Sequence, residues 1–347
     1  MSDRSTDVLG RREAAGHAAP PGDAGGPGEA LAPGTAVGSW RITARIAEGG
    51  CGVVYAARHA ILDREAAVKV LSAGMASSPA MVDRFVMEAR AVNRINHPNI
   101  IDIFDFGTLP DGRPYFVMEL LAPDDLHHRI AVGGRMSVAA TLAVVTPVCH
   151  ALDAAHRAGY VHRDLKARNI GFARRPQGEH VVLLDFGVAK LLEADRALTG
   201  TMRVGTPTCM SPEQIRGEPV DARADVYALG VLLFHLLVGH YPFEGSLADI
   251  EDAHLHARPP VPSRFAPVPV VVDAVVTRAL AKRPEDRYPS ARALLDELAA
   301  AVAACASTTT QALAIRVELR LPAIVDEREL GAVAAAAARA AEVMAEH

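Results

Sequence analysis

The run His162-Arg163-Asp164-Leu165-Lys166-Ala167-Arg168-Asn169 sets a carboxylate, an ammonium and a carboxamide in one short segment, and Asp185-Phe186-Gly187 adds a second carboxylate downstream. Together they supply a proton acceptor, a charge clamp and two oxygen ligands for a hard divalent cation, in the order that ATP-dependent phosphoryl transfer needs. Asp-Phe-Gly alone arises easily by chance. Joined to the longer run, it does not.

Such groups work only if other elements position them and hold a nucleotide. In Ile46-Ala47-Glu48-Gly49-Gly50-Cys51-Gly52-Val53-Val54-Tyr55, missing side chains let backbone N–H groups approach phosphate oxygens. Lys69 lies in the apolar run Ala66 to Leu71, which predicts a buried strand, where an ammonium is costly unless its charge is paired. Its expected partner is Glu88. Phe85, Met87-Glu88, Ala91-Val92 and Ile95 recur at helical spacing across Met81 to Ile95 and set Glu88 on the inward margin of that helix. Tyr115-Phe116-Val117-Met118-Glu119-Leu120-Leu121 predicts an apolar strand running into a polar break.

These motifs, in this order, resemble bacterial Ser/Thr protein kinases of the eukaryotic-like (Hanks) type, from about Val37 to about Val302. The resemblance implies an α+β, two-lobed fold with an antiparallel β-sheet N-lobe carrying one helix and a mainly helical C-lobe. It implies ATP as cosubstrate and Mg²⁺, with Mn²⁺ as an alternative, held by Asn169 and Asp185. Asp164 becomes the catalytic base, Lys166 its companion, and Lys69 the group that grips the α- and β-phosphates while Glu88 holds it in place. Ile46, Gly49, Gly50, Gly52 and Val54 line the phosphate loop. Ala67, Met118 as gatekeeper, Glu119 and Leu121 take the adenine, the last two at the hinge. Asp125 falls near the ribose hydroxyls, with a helix N-terminal role as the competing reading.

The chain departs from that pattern in places. Ala47 stands where the first loop glycine is expected, Ala122-Pro123 replaces the usual Glu-Gly, and Cys209 takes an aromatic position. Gly171 replaces a branched aliphatic under the adenine ring, a loss that the neighbouring Phe172 is in a position to compensate. Ala47 and Gly171 keep open a pseudokinase acting as a binding scaffold. A small-molecule kinase is opposed by Gly205-Thr206-Pro207-Thr208-Cys209-Met210-Ser211-Pro212-Glu213, which resembles a peptide-docking segment. By the same resemblance Glu213 pairs with Arg287, and Asp225 caps a central apolar helix and holds the catalytic loop's backbone. Lys166 with Thr206 resembles the Ser/Thr-specific branch, so the acceptors are Ser and Thr hydroxyls of proteins. Arg163 is placed to meet a phosphate on Thr199 or Thr201.

Composition agrees with a globular enzyme: 347 residues, 50% hydrophobic and 22% charged, with a net charge of −5 that points to no nucleic-acid partner. Cys51, Cys149, Cys209 and Cys305 match no zinc or disulfide framework, which favours a reducing cytoplasm. Residues 1–36 read as an Ala/Gly/Pro-rich disordered arm, 37–303 as the kinase domain with lobes dividing near 118, and 304–347 as a strand-helix tail. In the tail, Leu313, Ile315, Val317, Leu319 and Leu321 alternate onto one face, which predicts docking on the kinase, pairing in a homodimer or a remnant of a larger module. No run reads as long enough for a membrane anchor.

Overall fold

The computed structural model describes residues 30–49, 52–176, 178–186 and 207–304. Gly50, Cys51, Gly187, Thr199, Thr201, Thr206, Cys305, most of the N-terminal arm and the tail beyond residue 304 lie outside the described residues. The described residues fall into two compact units, one comprising those up to Asn93 with Asp102–Leu121, the other Arg94–Ile101 and those from Ala122 onward. The division thus falls after Leu121 rather than near 118. Asn99 explains why its segment belongs to the second unit: its side chain donates to the Val181 carbonyl, and its own carbonyl accepts from the Leu183 N–H, both at 2.9 Å.

The first unit is an antiparallel sheet of β1 (Ala36–Val37), β2 (Trp40–Gly49), β3 (Gly52–His59), β4 (Glu65–Leu71), β5 (Ile103–Thr108) and β6 (Pro114–Met118), in the order β1-β2-β3-β4-β6-β5. A two-residue β1 precedes the glycine hairpin, which therefore joins the second and third strands. β4 is central and its apolar residues are buried, as Ala66 to Leu71 predicts. Val37, Trp40, Ile42, Tyr55, Val68, Val70, Tyr115 and Val117 form the core. Two helices accompany the sheet rather than one, the short α1 (Ala73–Ala76) and then α2 (Pro79–Ile95). Phe85, Ala89, Ala91 and Val92 of α2 are buried, whereas Met87 is 45% exposed and lies off the inward stripe.

The second unit contains α3 (Leu126–Gly133), α4 (Val138–Arg157), the hairpin β7 (Ile170–Arg175) and β8 (Gly178–Leu183), α5 (Pro212–Arg216), α6 (Arg223–Val238), α7 (Leu247–His256), α8 (Val270–Ala279) and α9 over residues 291–304. α6 is apolar nearly all round and is buried from Ala224 to Leu237, so it forms the centre of the unit. Gly230 lets α8 approach: a Cβ there would lie 2.8 Å from that of Ala279. α4 corrects the expectation about membrane-length runs. Its 20 residues are long and apolar enough to cross a membrane by length and composition, yet Val144, Val145, Val148, Ala151 and Leu152 are buried in this unit's own core.

Candidate active site

In the first unit, Lys69 Nζ lies 2.9 Å from Glu88 Oε1, with the two side chains 13% and 16% exposed. Phe116 lies 5.4 Å below the ammonium, and Phe85 stacks on Phe116, so α2 is braced against the strand beside Lys69. The lysine pairs across the ladder with Val54, while Ala67 pairs with Met118. These registers bring the residues expected at the phosphates and adenine onto adjacent strands. The Glu119 N–H is already donated to the Asp102 carbonyl at 2.9 Å. Gly49 and Gly52 are paired at the hairpin end, but their needs differ. Nothing lies within 4 Å of a Cβ at Gly49, whereas one at Gly52 would meet the Val70 carbonyl oxygen at 2.1 Å. Gly52 is therefore demanded by the sheet itself. Ile46 is 47% exposed.

In the second unit, Lys166 Nζ donates to Asp164 Oδ2 at 2.7 Å, and Asn169 Nδ2 donates to the Asp164 carbonyl at 2.8 Å and to its Oδ2 at 3.2 Å. That leaves the Asn169 side-chain oxygen as the group able to ligate a cation. Asp185 is drawn near it because the Leu184 N–H donates to the Asn169 carbonyl at 2.8 Å. The donor set, carboxylate and amide oxygen, suits a hard cation such as Mg²⁺. Arg163 and Asp185 both have positive φ, 65° and 46°, so the backbone at each end of the constellation is held in the left-handed region.

His162 is fully buried and fixed in one tautomer: its Nε2 faces the Leu184 carbonyl at 2.9 Å, which can only accept, so Nδ1 is bare and accepts the Asp164 N–H at 3.3 Å. Asp225 secures the same loop. Its Oδ2 and Oδ1 accept the N–H groups of His162 and Arg163, each at 2.8 Å. The expected capping role is corrected, because Ala222 occupies the α6 N-cap without a side-chain bond and both Asp225 oxygens are committed to the loop. His156, at 2.7 Å from Asp225, is a partner that sequence reasoning missed. Burial pushes the Asp225 carboxyl up, but the hydrogen bond from His156, the adjacent imidazoles and the His162 amide outweigh it and hold it below the usual carboxylate range.

The docking side is equally built. Arg287 meets Glu213 through both guanidinium nitrogens at 2.7 and 2.8 Å, with side chains 0% and 5% exposed. Burial alone would raise Glu213, but the Arg287 hydrogen bonds and charge bring it below its ordinary value. Gln214 donates to the Arg163 carbonyl at 2.8 Å and so joins α5 to the catalytic loop. Arg163 is pressed below its ordinary value by burial, with Asp225 opposing, and its Nε has no hydrogen-bond partner among the described residues.

Asp125 caps α3, accepting the His128 N–H at 2.7 Å. Phe172 does not compensate for Gly171, because neighbours on a strand face opposite ways and its ring lies 3.3 Å under the Arg129 guanidinium. Among the described cysteines, Cys149 is buried and Cys209 partly so, both as free thiols, with burial pushing the Cys149 thiol well up.

The protein kinase domain family matches residues 40–300. Serine/threonine-protein kinase Pkn1 of Myxococcus xanthus is 43% identical over 308 residues, spanning 87% of this chain and 44% of that protein. Serine/threonine-protein kinase pkn3 of the same organism is 41% identical over 270 residues, spanning 75% and 49%. The chain thus spans less than half the length of these curated relatives. The crystal structure of the Mycobacterium tuberculosis PknI kinase domain superposes with a TM-score of 0.63 at 30% identity, covering 78% of this chain and 100% of that one. Motifs, two-unit α+β architecture and these likenesses agree, and the chain belongs to the protein kinase family, within its bacterial Ser/Thr (Hanks-type) branch.

Proposed function

We propose that this chain transfers the γ-phosphate of ATP to Ser and Thr hydroxyls of proteins. The observation that carries this is the grouping of Lys166 and Asn169 on the Asp164 carboxylate. It orients the carboxylate toward an incoming hydroxyl, with an ammonium beside it to offset developing charge. Lys69, held by Glu88, is the phosphate-gripping cation of the first unit. Mg²⁺, with Mn²⁺ as an alternative, would be held by Asn169 and Asp185 and supplies neutralisation of phosphate charge when bound. The pseudokinase reading rests on Ala47 and Gly171, which change apolar contacts and remove no charged group. Incubating the full chain with γ-labelled ATP and Mg²⁺, with and without a generic basic protein, puts label on Ser or Thr of the added protein. Absence of protein-bound label overturns the proposal.

Activation by autophosphorylation belongs to the same reading. Arg163 is a half-buried cation whose Nε has no partner among the described residues, and a phosphate on Thr199 or Thr201 supplies the missing acceptor. Free thiols at Cys149 and Cys209 support a reducing, cytoplasmic setting. The alternating apolar face of Leu313 to Leu321 supports pairing of two copies or docking of the tail on its own kinase. Intact-mass spectra of freshly expressed protein test the phosphosites, and light scattering after truncation near Ser307 tests the tail.

A further inference from the structure

Three polar groups meet in the interior of the second unit, far apart in sequence. His254 of α7 is 0% exposed, with Nδ1 2.8 Å from the Tyr227 hydroxyl of α6 and Nε2 3.2 Å from the Thr208 carbonyl. A carbonyl oxygen only accepts, so Nε2 carries the proton, Nδ1 is bare, and the Tyr227 O–H donates to it. In this tautomer all three groups are satisfied. In the other, two acceptors face each other at Thr208, so the carbonyl alone selects the tautomer, since the Tyr227 hydroxyl can donate or accept.

The surroundings favour the neutral ring. Phe243 sets its edge against the imidazole at 4.9 Å. Lys282 donates to the carbonyls of Ala253 and His254 at 2.9 and 2.7 Å and lies 4.7 Å over Phe243. Arg287, beside Tyr227, is the second cation close by, and its charge is taken up by Glu213. Burial first, and then the Lys282 charge, lower the His254 pKa to about 4.

Thr208 sits in the turn Pro207–Cys209 that opens the described part of the docking segment. From there a hydrogen-bonded route runs to the base: the Met210 N–H donates to the Pro207 carbonyl, Ser211 bonds Gln214, and Gln214 bonds the Arg163 carbonyl next to Asp164. α6 therefore anchors both sides of the acceptor site, the catalytic loop through Asp225 and the docking segment through Tyr227 and His254.

We propose that His254 is a positioning residue for the protein substrate: its single-tautomer imidazole pins the backbone at Thr208 and so sets how tightly a polypeptide is held beside Asp164. The inference rests on the kinase reading above. His254→Leu leaves the Thr208 carbonyl and the Tyr227 hydroxyl without a partner, and is expected to raise KM for a generic basic protein about tenfold. KM for ATP is expected to move less than about twofold, since no nucleotide group depends on this contact. His254→Gln, which keeps a donor and an acceptor, restores most of the loss. Tyr227→Phe keeps the fold's volume and the Nε2–H contact to Thr208 but leaves Nδ1 without its donor, and gives a smaller rise of about threefold.

Nitrogen chemical shifts of the imidazole give a reading independent of turnover: the wild type shows a neutral Nε2–H ring, and Tyr227→Phe keeps that tautomer because the Thr208 carbonyl still selects it. An unchanged protein KM in an active His254→Leu enzyme overturns the inference, as does equal damage from the Leu and Gln variants or an Nδ1–H ring in the wild type. A wild type that transfers no phosphate to protein instead overturns the kinase reading itself.

Discussion

The two units hold their charges in opposite ways. In the sheet unit, Lys69 reaches Glu88 on a flexible four-carbon stem, and both side chains keep some access to solvent. In the helical unit, Arg287 grips Glu213 with a planar fork, almost wholly buried, and Asp225 takes three donors at once. A group that must reach a phosphate while keeping its partner cannot be locked away, whereas groups that merely support the loop gain from being so. The contrast separates charges that act from charges that hold.

The largest effect expected from breaking this contrast is catalytic. Asp164→Asn keeps the shape of the loop but removes the proton acceptor, so transfer to protein falls roughly 10²–10⁴-fold while the melting temperature changes little. Activity above about a hundredth of wild type would take the base role away from Asp164.

Next in size is the difference between the two ion pairs. Arg287→Met strands the Glu213 carboxylate in the interior and is expected to cost about 3–5 kcal/mol in urea unfolding. Lys69→Met abolishes transfer, yet is expected to cost less than Arg287→Met because its pair keeps more access to solvent. Equal destabilisation by the two would erase the distinction between acting and holding charges.

Acid should also divide the units. His254, whose folded-state pKa of about 4 lies below its ordinary 6.5, is neutral in the folded protein where the unfolded chain already binds a proton. Stability therefore falls as pH drops from 6.5 toward 4, by about 2–3 kcal/mol from this group, and the trend flattens below. His235 and His97, both lowered chiefly by burial, add to the same direction in the same unit. Chemical unfolding at pH 7 and pH 4.5 measures this, and His254→Gln should reduce the difference. An undiminished difference would assign the acid sensitivity to other groups.

What could be read from the sequence follows the same line. Lys69 was legible because a charge in an apolar run demands a partner, whereas the pairing of Glu213 with Arg287 was legible only through the resemblance of their motifs to the family. Asp225 was legible as a support, but its geometry was not. Its position in the first turn of α6 suggests a cap, and only the folded chain shows the His162 and Arg163 amides arriving from elsewhere. His156, His254 and the Arg129 stack on Phe172 were not legible at all. Each joins isolated residues across long sequence separations, with no spacing rule to announce the contact. The length of α4 was hidden by Pro147, Asp153 and the histidines, which interrupt its apolar pattern without ending the helix.

The smallest effect tests a place where a contact is missing. Gly171 is buried in β7 opposite Val182, where the family resemblance expects a branched side chain under the adenine ring. The adjacent ring cannot turn to fill that side. Phe172 faces the other way and lies under Arg129, itself tied by Glu179 through two 2.6 Å bonds and by Asp124 at 2.6 Å. The helical unit has thus spent its nearest aromatic on a holding role and left the acting side with a hydrogen atom. Gly171→Leu restores apolar area to that face and is expected to tighten ATP binding several-fold, or about 1 kcal/mol, in calorimetric titration. Its effect on protein KM should be negligible, because the docking segment is anchored through Thr208 instead. Weaker ATP binding would show that the backbone already occupies the space and that the glycine is a requirement of packing, placing Gly171 with Gly52 rather than with Gly49.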